Sequence, residues 1–134
     1  MGKLLEFFLL IALISGYHCV TKEIHATVKL HCDAKLWCFG HTLYEDHYSD
    51  SKKFLAHYPK TCVTSHDVVN VVKATEKEED DRSHSSEEFG GEEVYSRIYT
   101  NCSRKWRYRS SKNYVTQFGG SNIFKFEESF NLNK

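Results

Sequence analysis

The chain has 134 residues, its 18 Lys and Arg residues balance 18 Asp and Glu residues, and 40% of its residues are hydrophobic. This length is typical of one small domain, and the apolar content is too high for a disordered chain. A general nucleic-acid-binding protein carries a basic excess that displaces counterions from phosphates, so we expect no nucleic-acid partner.

Residues 1–16 are typical of a secretory signal peptide. Lys3 supplies a positive charge, an apolar run covers residues 7–14, and the small residues Ser15 and Gly16 follow. The run is shorter than the roughly 20 residues that cross a bilayer, and no second long apolar stretch follows it. We therefore expect cleavage between residues 15 and 20, and a secreted, extracellular domain over residues 17–134 without a transmembrane segment.

Two-residue alternation of apolar side chains predicts the first strands of this domain. It runs from Ile24 to Cys32 and resumes from Trp37 to Glu45. A third strand is predicted over residues 61–73, which are rich in Val, and residues 52–58 are the only plausible short helix.

An acidic loop is predicted next, because residues 76–93 contain nine acidic side chains and one large apolar one. Alternation then predicts strands over residues 94–100, 105–109 and 123–132. Six or seven short strands separated by turn residues indicate an all-β sandwich.

The cysteines indicate disulfides, because an exported protein folds in an oxidising compartment. Cys19 lies beside the expected cleavage point, where it is either removed or left as an odd thiol. The residues alone leave three pairings open for the other four cysteines, which are Cys32, Cys38, Cys62 and Cys102.

Several motifs occur in the order seen in one family of secreted proteins. Residues 93–102 read Glu-Val-Tyr-Ser-Arg-Ile-Tyr-Thr-Asn-Cys, which matches a Glu-Pro-Tyr-Leu-x-Ile-x-His-Asn-Cys pattern in register. A strand that ends in Cys32 precedes this block, and a basic strand and an Asn-Tyr-Val segment follow it. The chain resembles the nematode transthyretin-like family as a divergent member, since Val94 replaces a proline and Thr100 replaces the histidine.

The resemblance implies a transthyretin-like, or prealbumin-like, β-sandwich of seven to eight strands. It also implies a bridge between Cys32 and Cys102, which both stand at family positions, and this would leave Cys38 to pair with Cys62. The function implied is that of a secreted, non-enzymatic binding or signalling protein without a cofactor.

Two other functions are weighed beside this one. A carrier would hold a small apolar ligand in a cavity of the sandwich or between subunits, by analogy with transthyretin. A hydrolase is less expected, because ureide hydrolases of the same fold end in Tyr-Arg-Gly-Ser, which this chain lacks.

A basic segment is the candidate binding surface. Alternation predicts that Arg107 and Arg109 face solvent while Trp106 and Tyr108 point to the core. The face is either simply solvated or binds an extracellular protein or an anionic lipid or glycan surface. The five cations of this segment are Arg104, Lys105, Arg107, Arg109 and Lys112.

Two further patterns carry weaker predictions. Asn101 begins an Asn-Cys-Ser sequence that fits the acceptor pattern for glycosylation, although early disulfide formation by Cys102 would hinder it. The eight histidines include no His-x-x-x-His pair, so we expect no metal site.

Overall fold

The structure, a computed structural model, describes residues 20–46, 52–78 and 92–134, together with Lys3. The rest of the predicted signal peptide, Cys19 and most of the predicted acidic loop lie outside the described residues. The described chain is an all-β sandwich, which confirms the predicted fold class. Its eight strands are β1 (Val20–His31), β2 (Trp37–Asp46), β3 (Lys52–Val63), β4 (Asp67–Glu78), β5 (Glu93–Thr100), β6 (Arg107–Ser110), β7 (Tyr114–Val115) and β8 (Ile123–Asn131).

The strands form two sheets. A three-stranded sheet has the order β4-β1-β8, and a five-stranded sheet has the order β3-β2-β5-β6 with β7 also paired to β5. The pairing of β1 with β8 is parallel, whereas the other pairings are antiparallel. Among the described residues, no helix is long and apolar enough to cross a membrane.

Strand β1 lies between β4 and β8. Its alternation suits a strand that is buried on one face only. Ile24, Ala26, Val28 and Leu30 are buried against the five-stranded sheet, while the residues between them lie on the outer face. The observed strand begins at Val20, four residues before the predicted start.

The short helix predicted over residues 52–58 is wrong, because this segment is the first part of strand β3. The strand pairs with β2, and the ring of Phe54 packs edge-on against its cross-strand partner Tyr44. Two irregularities in the register, one of them between Leu43 and Tyr44, break the pairing of β2 with β3. Such bulges disturb two-residue periodicity, which explains why alternation did not reveal this strand.

The strand predicted over residues 61–73 is in fact two strands. Strand β3 ends at Val63 and β4 begins at Asp67, and Ser65 in the turn accepts a hydrogen bond on its carbonyl from the Trp37 indole N–H, at 2.9 Å. Strand β4 then continues through Glu78, paired with Val20. The predicted acidic loop therefore starts too early, since residues 76–78 belong to a strand.

A layer of polar side chains divides the core, which lies between the two sheets, into two apolar clusters. His41, Asn70 and Ser96 come from β2, β4 and β5, and each has an apolar core residue two positions away on either side along its strand. One apolar cluster contains Val28, Leu30, Cys32, Trp37, Phe39, Ile98, Cys102, Phe130 and Leu132. The other contains Ile24, Ala26, Leu43, Val72, Ala74, Val94 and Phe126.

Two disulfides join the four cysteines in the pairing that the family resemblance implied. The bond between Cys32 and Cys102 links the end of β1 to the end of β5, so it ties the two sheets together. The bond between Cys38 and Cys62 links directly opposed residues of β2 and β3, so it lies within the five-stranded sheet. The implied pairing is therefore confirmed.

Candidate binding surface

The predicted orientation of the basic strand is wrong. Trp106 and Tyr108 are 37% and 63% exposed, whereas the side chains of Arg107 and Arg109 are half-buried. Arg107 donates a hydrogen bond from Nη2 to the carbonyl oxygen of Leu132 at 2.7 Å. Arg109 donates from Nη1 to the main-chain oxygen of Lys134 at 2.7 Å.

The register of β6 against β5 explains this orientation. Arg107 lies opposite Thr100 and Arg109 lies opposite Ile98, and both partners face the core. Tyr108 instead lies opposite Tyr99 on the outer face. Arginine stems cover apolar surface while their guanidinium groups find main-chain oxygens, so these two arginines fasten the segment after β8 to the edge of the five-stranded sheet.

The other three predicted cations lie at the two ends of β6. Arg104 and Lys105 are exposed in the turn before the strand, and Arg104 has a φ of 70°. Lys112 follows the strand, with its Nζ 5.1 Å from the centroid of the Tyr114 ring. The five cations therefore do not form one continuous surface, and their binding of an anion stays a prediction.

Aromatic side chains lie on the outer face of the five-stranded sheet, and we call this surface the aromatic face. Its member Tyr95 is only 5% exposed. The rings of Tyr44 and Tyr95 stack with their centroids 5.5 Å apart. The rings of Tyr99 and Tyr108 stack at 4.7 Å, and Trp106 lies 4.6 Å from Tyr99. The aromatic face consists of Tyr44, Phe54, Tyr95, Tyr99, Trp106 and Tyr108.

Arg97 lies at the centre of this face. Its guanidinium carbon is 5.3 Å from the ring centroids of Tyr44 and Tyr108 and 6.0 Å from that of Tyr95. These distances are those of cation–π contacts. Among the described residues, Arg97 makes no hydrogen bond or ion pair, and its Nε is buried without an acceptor.

Two lysines extend the row of cations on either side of Arg97. Lys60 Nζ lies 4.2 Å from the centroid of the Trp106 ring, and Lys52 Nζ lies 5.9 Å from that of Tyr95. The hydroxyl of Tyr95 is buried without a hydrogen-bond partner in the described part of the chain. The aromatic face thus presents positive charges whose neighbours are rings.

The buried polar layer has the order of contacts found in nucleophile–base–acceptor chains. His41 Nε2 is 2.8 Å from Ser96 Oγ, and its Nδ1 is 2.9 Å from Asn70 Oδ1. Burial lowers the pKa of His41, which favours the neutral imidazole. Ser96 and His41 are fully buried, so the hydroxyl does not meet solvent.

The outer face of the three-stranded sheet has different chemistry. His31 contacts Asp67 at 2.7 Å and Asp33 at 3.0 Å, and the hydrogen bond with Asp67 is the main cause of a raised His31 pKa. His31 and Asp67 border a depression of about 520 Å³ that is also lined by Val69 and Phe130. Among the described residues, no group of three or more His, Cys, Asp or Glu side chains could hold a metal ion.

Asn101, the predicted glycosylation acceptor, has a structural contact. Its Oδ1 accepts a hydrogen bond from the Cys38 N–H at 2.8 Å, and its own N–H donates to the Cys38 carbonyl at 3.3 Å. These two bonds join the end of β5 to the start of β2. Glycosylation of Asn101 stays a prediction.

Sequence reasoning missed Arg97 and the aromatic face. The signal was present in β5, where Tyr95, Arg97 and Tyr99 alternate with the inward-facing residues 94, 96, 98 and 100. We compared the chain with protein families, with curated proteins and with solved structures, and none of them matches it. Its function is therefore inferred from its own residues.

Proposed function

We propose that the protein is a secreted, non-enzymatic binding protein of the transthyretin-like type, and that its binding surface is the aromatic face. The partner would be an extracellular protein or an anionic lipid or glycan surface. The carrier and hydrolase alternatives have no comparable observation in their favour.

The observation that carries the proposal is the environment of Arg97. A guanidinium group is usually paired with carboxylates or with carbonyl oxygens, as Arg107 and Arg109 are here. Arg97 has three tyrosine rings around it and no acceptor among the described residues. An anionic group on a partner would complete its hydrogen bonding.

The composition of the aromatic face also favours binding. Arg, Tyr and Trp are the residues enriched where binding energy concentrates in interfaces. Trp106 and Tyr108 are 37% and 63% exposed and both pack on Tyr99, and large exposed apolar groups that lie together favour an interaction site.

Three observations support the proposed compartment and the proposed lack of catalysis. Two disulfides fit an extracellular protein, and the apolar run at the start of the chain agrees with export. The Ser96 hydroxyl, which has the contacts of an activated nucleophile, is buried within the core. A substrate would have to part the two sheets to reach it.

The test compares variants on the two outer faces. Labelled full chain is applied to an array of extracellular domains and glycans and to anionic vesicles, as wild type, Arg97→Gln and Lys125→Gln. Lys125 is an exposed residue of β8 on the other sheet, so its replacement makes the same change in charge. Hydrogen bonds to charged groups contribute about 1.5–3 kcal/mol. Arg97→Gln should therefore weaken binding of the ligand that the wild type binds about 10- to 100-fold.

Lys125→Gln should leave that binding within about twofold, since surface charges far from a contact contribute little. Equal losses in both variants, or no ligand whose binding depends on Arg97, would exclude the aromatic face as the binding surface. Tyr108→Ser is the second variant, because this exposed ring can be removed without disturbing the core.

A further inference from the structure

The charges of the aromatic face are arranged in a row. Arg97 lies between Tyr95 and Tyr99 along β5, and residues two apart on a strand are about 7 Å apart. Lys52 is above Tyr95 at one end of the row. At the other end Tyr99 is followed by Trp106, with Lys60 above it.

Three cations, Lys52, Arg97 and Lys60, run along the row. Among the described residues, the acidic side chains Asp46 and Glu93 lie near one end of the row, at the start of β5. Asp46 is opposite Lys52 on β3, and both acidic side chains accept hydrogen bonds from Asn113 Nδ2, at 3.4 and 2.9 Å. Each of the three cations lies against an aromatic ring. The surface therefore complements a ligand with several negative charges along one line.

Arg97 determines the kind of anionic group that fits. Its Nε is buried without an acceptor, and its two Nη nitrogens have no hydrogen-bond partner in the described part of the chain. The planar guanidinium presents paired N–H donors that match the oxygens of an oxyanion, and it is more weakly hydrated than an ammonium group. Sulfate esters are bulky, weakly hydrated oxyanions that stay charged at every physiological pH.

We infer that the aromatic face binds a linear sulfated polysaccharide, an inference that depends on the proposed function. Sulfate groups would pair with Arg97 and Lys60, and the C–H faces of the sugar rings would pack on the exposed tyrosine and tryptophan rings. Such a chain supplies both repeated charges and flat apolar surface.

Two other macromolecules suit the row less well. A membrane surface is bound by basic groups together with apolar side chains that insert between lipids, but among the members of the aromatic face only Phe54 lacks a polar group. An acidic peptide in extended form gains affinity by adding to a sheet edge. The edge strand β6 has four residues, and the other edge strand, β3, contains Pro59, which has no N–H to donate to an added strand.

The test uses three polymers with one backbone, which are dextran, carboxymethyl dextran and dextran sulfate. Binding of the secreted full chain is followed by calorimetry at physiological salt, and poly-glutamate and phosphatidylserine vesicles are measured in parallel. Dextran sulfate should bind at least tenfold more tightly than carboxymethyl dextran, and dextran should not bind.

The variants separate a built site from general attraction between charges. Arg97→Gln should weaken dextran sulfate binding at least tenfold, and Lys60→Gln, at an exposed position, should weaken it severalfold. Arg97→Lys keeps the charge but loses the paired donors, so it should also weaken binding severalfold. Lys125→Gln, the matched control on the other sheet, should change it less than twofold.

Four outcomes would overturn the inference. Equal affinity for carboxymethyl dextran would remove the preference for sulfate, and equal losses from Arg97→Gln and Lys125→Gln would mean general charge attraction. Binding of vesicles or poly-glutamate that depends on Arg97, without binding of dextran sulfate, would reject the polysaccharide but keep the proposed function. No binding that depends on Arg97 would reject both.

Discussion

The outer faces of the two sheets differ in the partners of their charged side chains. On the three-stranded sheet, Lys29 pairs with Glu127 at 2.8 Å and His25 contacts Glu23 at 2.9 Å. On the five-stranded sheet, the guanidinium of Arg97 lies among tyrosine rings. These charges of the first face are paired within the fold, whereas the second face leaves a cation whose hydrogen bonds a partner can complete.

This contrast is more informative than a count of charges. Both faces carry basic residues, and a net charge of zero for the whole chain conceals the difference between them. The local partner of each cation distinguishes a solvated surface from a candidate binding surface.

The largest effect on stability is expected from removing the disulfide that joins the two sheets. The disulfide between them closes a segment of 70 residues and the one within the five-stranded sheet closes 24. In the chain-entropy model, replacing Cys32 and Cys102 with Ala lowers the free energy of unfolding by about 4 kcal/mol, against about 3 kcal/mol for Cys38 and Cys62. Urea unfolding of the two double variants measures both losses, and a larger loss for the second pair would contradict the ranking.

A smaller effect is expected at the edge where the two sheets meet. Arg107→Ala removes a partly buried, charged hydrogen bond to the Leu132 carbonyl, so it should lower the free energy of unfolding by about 2 kcal/mol. Hydrogen exchange should also become faster at the Leu132 N–H, which donates to the His31 carbonyl at 2.9 Å. The exposed control Lys105→Ala should change stability by less than about 0.5 kcal/mol, and similar effects in both variants would argue against this role for Arg107.

The smallest effects are the coupling energies of single pairs, which compare the two faces directly. A double-mutant cycle for Lys29 and Glu127 should give a coupling of about 0.5 kcal/mol that vanishes in 1 M salt. A cycle for Arg97 and Tyr108 should give about 0.5–1 kcal/mol that persists at this salt concentration, because the ring contact excludes counterions from one side of the guanidinium. Loss of both couplings in salt would mean that the two faces do not differ in this respect.

Much of the fold could be predicted from local patterns. The alternation from Ile24 to Leu30 reports which side of β1 is buried, because one face meets the core and the other meets solvent. Strand β3 escaped prediction because it is an edge strand whose partner is bulged, so burial does not impose a regular period on residues 52–58.

The candidate site was harder to predict because alternation separates two faces without saying which one is inside. Trp106 and Tyr108 were assigned to the core since they are the larger apolar groups. Tyr99, their neighbour on β5, holds them on the outer face, while the arginines find main-chain oxygens. That outcome depends on the pairing of β6 with β5 and on the path of the chain after β8, which are both non-local.

The polar layer formed by His41, Asn70 and Ser96 has a consequence for how the sheets are aligned. Two apolar faces alone can slide over each other in steps of two residues, about 7 Å, with similar burial at each step. One such step would move Asn70 away from His41 and leave polar groups buried without partners, at a cost of about 1–3 kcal/mol for each group. The layer therefore selects one alignment of the two sheets from the several that their apolar surfaces would allow.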